Sequence, residues 1–174
     1  MLDPRVVWWV GPDGEYWHES AGVFVLNGAG RLLLFERTIY PFALTVPSGH
    51  VDAGEDPAAA AGRELKEEVG LTAEALVPVA CEDIMGDSCR RGSDAHRWHA
   101  FACRVDAVEV EVVEEGHRPV WLTVEEALEA DLVAPVRHIL SRYGFRLADF
   151  GGRRSSGRTR AAAGSSGTDS ARRR

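Results

Sequence analysis

The segment GHVDAGEDPAAAAGRELKEEVGL, Gly49 to Leu71, limits this chain more than any other. It gathers six carboxylates (Asp52, Glu55, Asp56, Glu64, Glu67 and Glu68) against two cations, Arg63 and Lys66. Its second half reads as a helix over 57–69. Asp56 is a good N-cap, Pro57 suits the first helical position and Gly70 is a natural stop. Ala58, Ala61, Leu65 and Val69 then share an apolar stripe able to dock on a sheet. Glu64, Glu67 and Glu68 share another stripe, because Glu67 falls about −60° and Glu68 about +40° around the axis from Glu64. Arg63 and Glu67, four apart, can pair. Like charges packed this closely destabilise a helix, or raise a carboxyl pKa, unless a cation sits among them. An oxygen-only donor set suits Mg2+ or Mn2+. The glycine-bearing stretch 49–55 can fold over the helix and bring Glu55 to the same place.

The rest of the chain alternates strand-like and helix-like segments. Val6–Val10 is apolar and runs into the turn GPDG. Ala21–Leu26 and Leu32–Phe35 flank NGAGR, a hairpin signal. Leu76–Ala80 and Trp98–Cys103 read as further strands. Val108, Val110 and Val112 alternate with Glu109 and Glu111 as another strand, and PVWLT as a last short one. Thr123 with Glu126 forms a capping box for a helix to about Ala130, and Pro135 opens another that Gly144 is expected to close. Hairpins with few helices predict a layered α/β or α+β domain.

Composition decides the partners. The net charge of −7 conceals seven arginines against one acid in 151–174, so residues 1–150 carry −13. An acidic body is a poor general ligand for nucleic acid. Residues 151–174 hold no large apolar side chain, which predicts a disordered tail after a single domain over 1–150. Its arginines read as solvated charges, with contact to RNA or an acidic surface as the other reading. No apolar run approaches a membrane span and no leader pattern opens the chain, so a cytoplasmic protein with no membrane partner is expected. Cys81, Cys89 and Cys103 form an odd set without CxxC spacing, against both a disulfide scaffold and a cysteine-rich zinc site.

The segment 49–71 resembles the Nudix box: Gly, five residues, Glu, seven residues, Arg-Glu, an aliphatic, any residue, Glu-Glu, any residue, Gly, an aliphatic. Gly49, Glu55, Arg63, Glu64, Leu65, Glu67, Glu68, Gly70 and Leu71 fill every fixed position with both gaps correct. The resemblance implies an α/β/α sandwich on a mixed sheet, with the box as loop–helix–loop. It implies a hydrolase that cleaves the phosphoanhydride bond of a nucleoside diphosphate linked to another moiety. The cofactor implied is Mg2+ or Mn2+, with Glu64, Glu67 and Glu68 as metal ligands. Arg63 would orient the carboxylates, and Glu55 would support the loop. A further carboxylate often comes from a loop beyond the box in this family. Glu115, ahead of a glycine and a Trp-bearing strand, resembles it and is preferred over Glu114. Glu64 and Glu115 are both candidates for the general base.

The flanks bear on substrate. Arg90, Arg91 and Arg97 are cations in an acidic body, and adjacent arginines suit terminal phosphates or a phosphosugar; a charged surface turn is the other reading. His96 and His99 with Cys89 and Cys103 match no zinc-ligand spacing, so no zinc is expected. Tyr40, Phe42 and Trp98 can stack a base or serve as core and rim. The proline tied to ADP-ribose hydrolysis and the tyrosine tied to dinucleoside polyphosphates are not evident around Gly86–Cys89. The motif of NADH-cleaving members is absent. The expected partner is a small nucleotide-type diphosphate, with a homodimer also possible. Competing readings are a non-catalytic nucleotide-sensing domain and a prenyl-diphosphate isomerase. Ser48, where the isomerases carry cysteine before Gly-His, counts against the latter.

Overall fold

Alternation along one long strand organises the molecule. That strand is β2, Tyr16–Leu26, and its even and odd positions face different cores. The computed structural model describes residues 2–106, 109–112 and 116–152. β2 runs parallel to β7, Ala95–Arg104, which pairs antiparallel with β6, Val77–Met85. β3, Leu32–Arg37, follows β2 and pairs with β4, Leu44–Thr45, and with β8, Gly116–Leu122. β1, Trp9–Val10, and β5, Ser48–His50, also pair with β2. The sheet is mixed, as expected.

Helices cover both faces. On one side lies α1, Pro57–Val69, whose Ala61, Leu65 and Val69 pack on Ala21, Val23 and Val25 of β2. On the other lie α2, Val124–Glu129, and α3, Ala134–Gly152, packed on Phe24, Leu26, Trp98 and Ala100. The result is the α/β/α sandwich. α1 has the expected ends. The Asp56 side chain accepts from the Ala58 and Ala59 N–H groups, and Gly70 closes the helix at φ 66°. Thr123 and Glu126 form the expected capping box of α2.

Three expectations need correction. Gly144 does not end α3, which runs to Gly152, past the boundary drawn at residue 150. Gly144 is there for close approach: a Cβ would lie 2.7 Å from Val124 Cγ1 of α2. Residues 109–112 belong to no strand; Val110 and Val112 instead pack against the α1-side core. β2 begins at Tyr16, well before Ala21, because buried polar residues at its start hide it from a hydropathy reading. The NGAGR turn does form, with the Asn27 side chain accepting from the Ala29 and Arg31 N–H groups. Of the tail expected over 151–174, residues 153–174 lie outside the described residues.

Candidate active site

Arg63 is the hub of the acidic segment. Its Nε and Nη2 each donate to the Glu55 carboxylate at 3.0 Å, a two-pronged pair. Nη2 also donates to the His50 carbonyl at 3.0 Å. Nη1 reaches Glu64 at 2.6 Å and Glu67 at 3.3 Å. One guanidinium therefore ties the 50–55 loop to the helix face and to two of its three glutamates. Its hydrogen bonds hold the Glu55 carboxyl below its usual range, and the Arg63 pKa is raised in turn, chiefly by Glu55.

The third glutamate, Glu68, is buried and accepts from the Ser48 backbone N–H at 2.8 Å. Gly49 explains how β5 comes so near α1. A Cβ on Gly49 would lie 2.1 Å from Glu64 Oε1, so only glycine leaves room for that carboxylate. Glu55 joins the site through Arg63, as the loop reading expected.

Glu64, Glu67 and Glu68 line one wall of a cleft of about 330 Å³. Arg37 of β3, Arg5, Arg90 and Arg91 line it from elsewhere. Carboxylates and guanidinium groups thus line one cleft, a composition suited to holding a cation and an anion together. Arg91 is held by Asp3 at 3.2 Å and Asp52 at 3.8 Å. Arg90 is the more exposed of the two.

Arg97 is a correction. It alternates away from its neighbours His96 and Trp98, which line the cleft, and pairs with Asp83 at 2.8 Å with its guanidinium over Trp9. It lines no part of the cleft. Glu115 and Glu114 lie outside the described residues. The next residue, Gly116, pairs with Arg37, so the chain returns to the sheet beside a cleft residue. Trp98 is buried on the cleft floor against Phe24, whereas Tyr40 and Phe42 are exposed and touch edge to face.

Sequence reasoning missed a second cluster, three of whose four members, His50, Cys89 and His96, line this same cleft. The donor atoms of His18, His50, Cys89 and His96 lie within 4.8 Å of one another. His99, which the sequence grouped with His96, faces the opposite side and meets Glu19 at 2.9 Å. Cys103 is buried in the α1-side core, where burial pushes its thiol up to about 12. Cys89 differs: burial raises its thiol, but hydrogen bonds from the three histidines outweigh this and hold it at about 3. Burial lowers His96, yet Asp87 and Cys89 more than offset that and raise it to about 9. Burial lowers His50. Strand register is what assembles the cluster: His18 faces His96 across β2 and β7, and His50 on β5 pairs with Ser20, two positions along β2 and on the same face.

Residues 17–143 match the model of the NUDIX domain. The chain is 30% identical over 137 residues to the asymmetrical bis(5'-nucleosyl)-tetraphosphatase of Caenorhabditis elegans, covering 76% of this chain and 98% of that protein. It is 39% identical over 57 residues to an RNA pyrophosphohydrolase of Rhodospirillum rubrum, a match spanning 33% of this chain and 34% of that protein. A crystal structure of a C. elegans Ap4A hydrolase binary complex superposes with a TM-score of 0.58 at 25% identity, covering 76% of this chain and 100% of that one.

Proposed function

The chain belongs to the NUDIX family of hydrolases that act on pyrophosphate bonds, and from that premise we infer that its substrate is a nucleoside diphosphate linked to another moiety. The observation that carries this is the cleft itself, which three glutamates of α1 line together with Arg37, Arg90 and Arg91. The residues fit a hard divalent cation. The donors are all carboxylate oxygens, and Gly49 leaves open the space where the Glu64 carboxylate lies. Glu64, Glu67 and Glu68 would hold Mg2+ or Mn2+. When bound, such an ion would offset phosphate charge and lower the pKa of a water.

The chain's own groups do the rest. Arg63 fixes the directions of Glu64 and Glu67 and anchors the loop through Glu55. Arg90 and Arg91 neutralise the phosphates and set their position. A carboxylate, Glu64 or Glu115, takes the proton of the attacking water. Among nucleotide-type substrates, dinucleoside tetraphosphates and RNA deserve first trial, since one relative is named a bis(5'-nucleosyl)-tetraphosphatase and another an RNA pyrophosphohydrolase.

With Mg2+ the purified chain should release phosphate-bearing products from a panel of nucleoside triphosphates, nucleotide sugars, dinucleoside polyphosphates and 5'-triphosphorylated RNA. Excess chelator should abolish that release. Silence across the panel, or turnover indifferent to chelator, would overturn the reading.

Gly49→Ala tests the packing of the site. The new methyl must displace the Glu64 carboxylate, the flexible end of a side chain, so the fold should survive. Activity should fall about tenfold, because small misplacements at a reacting centre are costly. Thermal melting beside a rate measurement separates the two effects.

A further inference from the structure

We propose that His18, His50, Cys89 and His96 form a binding site for one Zn2+ ion, separate from the carboxylates of α1. The distances carry the argument. His96 Nε2 lies 3.1 Å from His18 Nε2, and Cys89 Sγ lies 3.5 Å from that same atom. Ordinary Zn–N and Zn–S bond lengths in a tetrahedron require edges of about 3.3 Å between nitrogens and about 3.6 Å between nitrogen and sulfur. All four donors fall within 4.8 Å of one another. Three imidazoles and one thiol, with no carboxylate among them, suit zinc and not magnesium.

The surroundings agree. His18 and His96 turn their Nε2 atoms inward and leave Nδ1 facing outward. His96 Nδ1 lies 3.2 Å from the Asp87 carboxylate, within ion-pair range but without an aligned hydrogen bond, and His18 Nδ1 lies 3.4 Å from the Glu19 carbonyl. A carboxylate or carbonyl behind a metal-bound histidine is the usual means of fixing its tautomer and raising its basicity. His18 and His96 are almost wholly buried, and Trp8 closes the site edge-on to His18 with ring centroids 4.5 Å apart. Without a metal, two buried Nε2 atoms at 3.1 Å must divide one proton between them, and any thiolate–imidazolium charge stays desolvated. A divalent ion resolves both problems.

Four protein ligands close the coordination sphere, which marks the ion as structural. Three ligands come from adjacent strands. The fourth, Cys89, comes from the turn joining β6 to β7, where its backbone already bonds Ser93 and Gly92. The ion therefore pins that turn beside the cleft, with Arg90 and Arg91 immediately after the pinned residue. That last consequence rests on the reading of the cleft given above; the metal site does not.

Metal analysis of the full chain purified without added chelator should find close to one zinc per molecule, retained through excess Mg2+. Replacing zinc by Co2+ should give the thiolate-to-cobalt charge-transfer band and the intense visible bands of a tetrahedral ion. Carboxylates cannot produce the first of these, so the α1 glutamates cannot mimic the result. Cys89→Ser should lose the band and the zinc, and Cys81→Ser should keep both. Stripping the zinc should speed trypsin cleavage after Arg90 and Arg91. A wild-type chain that takes up neither zinc nor a thiolate-ligated Co2+ overturns the proposal without recourse to any variant. So does a Cys89→Ser protein that keeps the band. Unchanged cleavage in the stripped protein would reject the pinning of the turn.

Discussion

Glu68→Gln should lower turnover at least about 100-fold while the protein melts within a degree or two of wild type. Substitutions behind a metal ligand already cost about 10- to 100-fold, and a change in a ligand itself belongs at or beyond the upper end. The structure explains why folding should survive. Glu68 is buried and accepts from the Ser48 N–H, a bond that the glutamine carbonyl can still make. What is lost is a formal charge at the wall of the cleft. Initial rates across a Mg2+ titration check this. Near-wild-type turnover at saturating Mg2+ would remove Glu68 from the ligand set.

Arg63→Ala should do damage of a different kind. It removes the partner of Glu55, Glu64 and Glu67 in one step and frees the His50 carbonyl. Breaking a fully buried pair costs about 3–5 kcal/mol. The Arg63 side chain is 30% exposed, so solvent screening brings the expected loss to roughly 2 kcal/mol. Activity should fall about 10- to 100-fold as the carboxylates lose their orientation. Lysine should rescue little of it, since an ammonium cannot make the two-pronged bond to Glu55. Denaturant melts and rates measured on both variants decide the matter. An Arg63→Lys protein with full activity would reduce Arg63 to a mere counter-charge.

The parts of this molecule that were legible in its sequence are those whose causes are local. Helix α1 was readable end to end because its cap, first-turn proline and stop glycine lie within a few residues of what they control. The carboxylate stripe followed from helical spacing alone, and the Arg63–Glu67 pair formed as that spacing required. Gly144 misled because the reason for it is a contact with Val124 of another helix, which no local rule contains. Val110 and Val112 show the alternation of a strand yet pack, partly buried, against the α1-side core from outside any strand. Arg97 looked equivalent to Arg90 and Arg91 until strand alternation placed it on the far face.

The histidine–cysteine cluster was the least legible feature. Its four members come from β2, β5, a turn and β7, and no spacing between them repeats a known pattern. Cys89 and His96 stand near His99 and Cys103 in the sequence, but His99 pairs with Glu19 and Cys103 is buried in the α1-side core. Only the pairing of His18 with His96 and of Ser20 with His50 brings the three histidines together, and pairing is a property of the sheet; the turn before β7 adds Cys89.

The alternation of β2 has a consequence for how such a chain can change over time. His18, Ser20, Phe24 and Leu26 serve the α3 side and the cleft, while Ala21, Val23 and Val25 serve the α1 side. Point substitutions can retune either side separately. Deleting a single residue inside the strand would exchange the two sets downstream of the cut, setting small residues against α3 and large ones against α1. Lineages carrying this domain should therefore tolerate length changes in the GPDG and NGAGR turns at the ends of β2, but almost none between Tyr16 and Leu26.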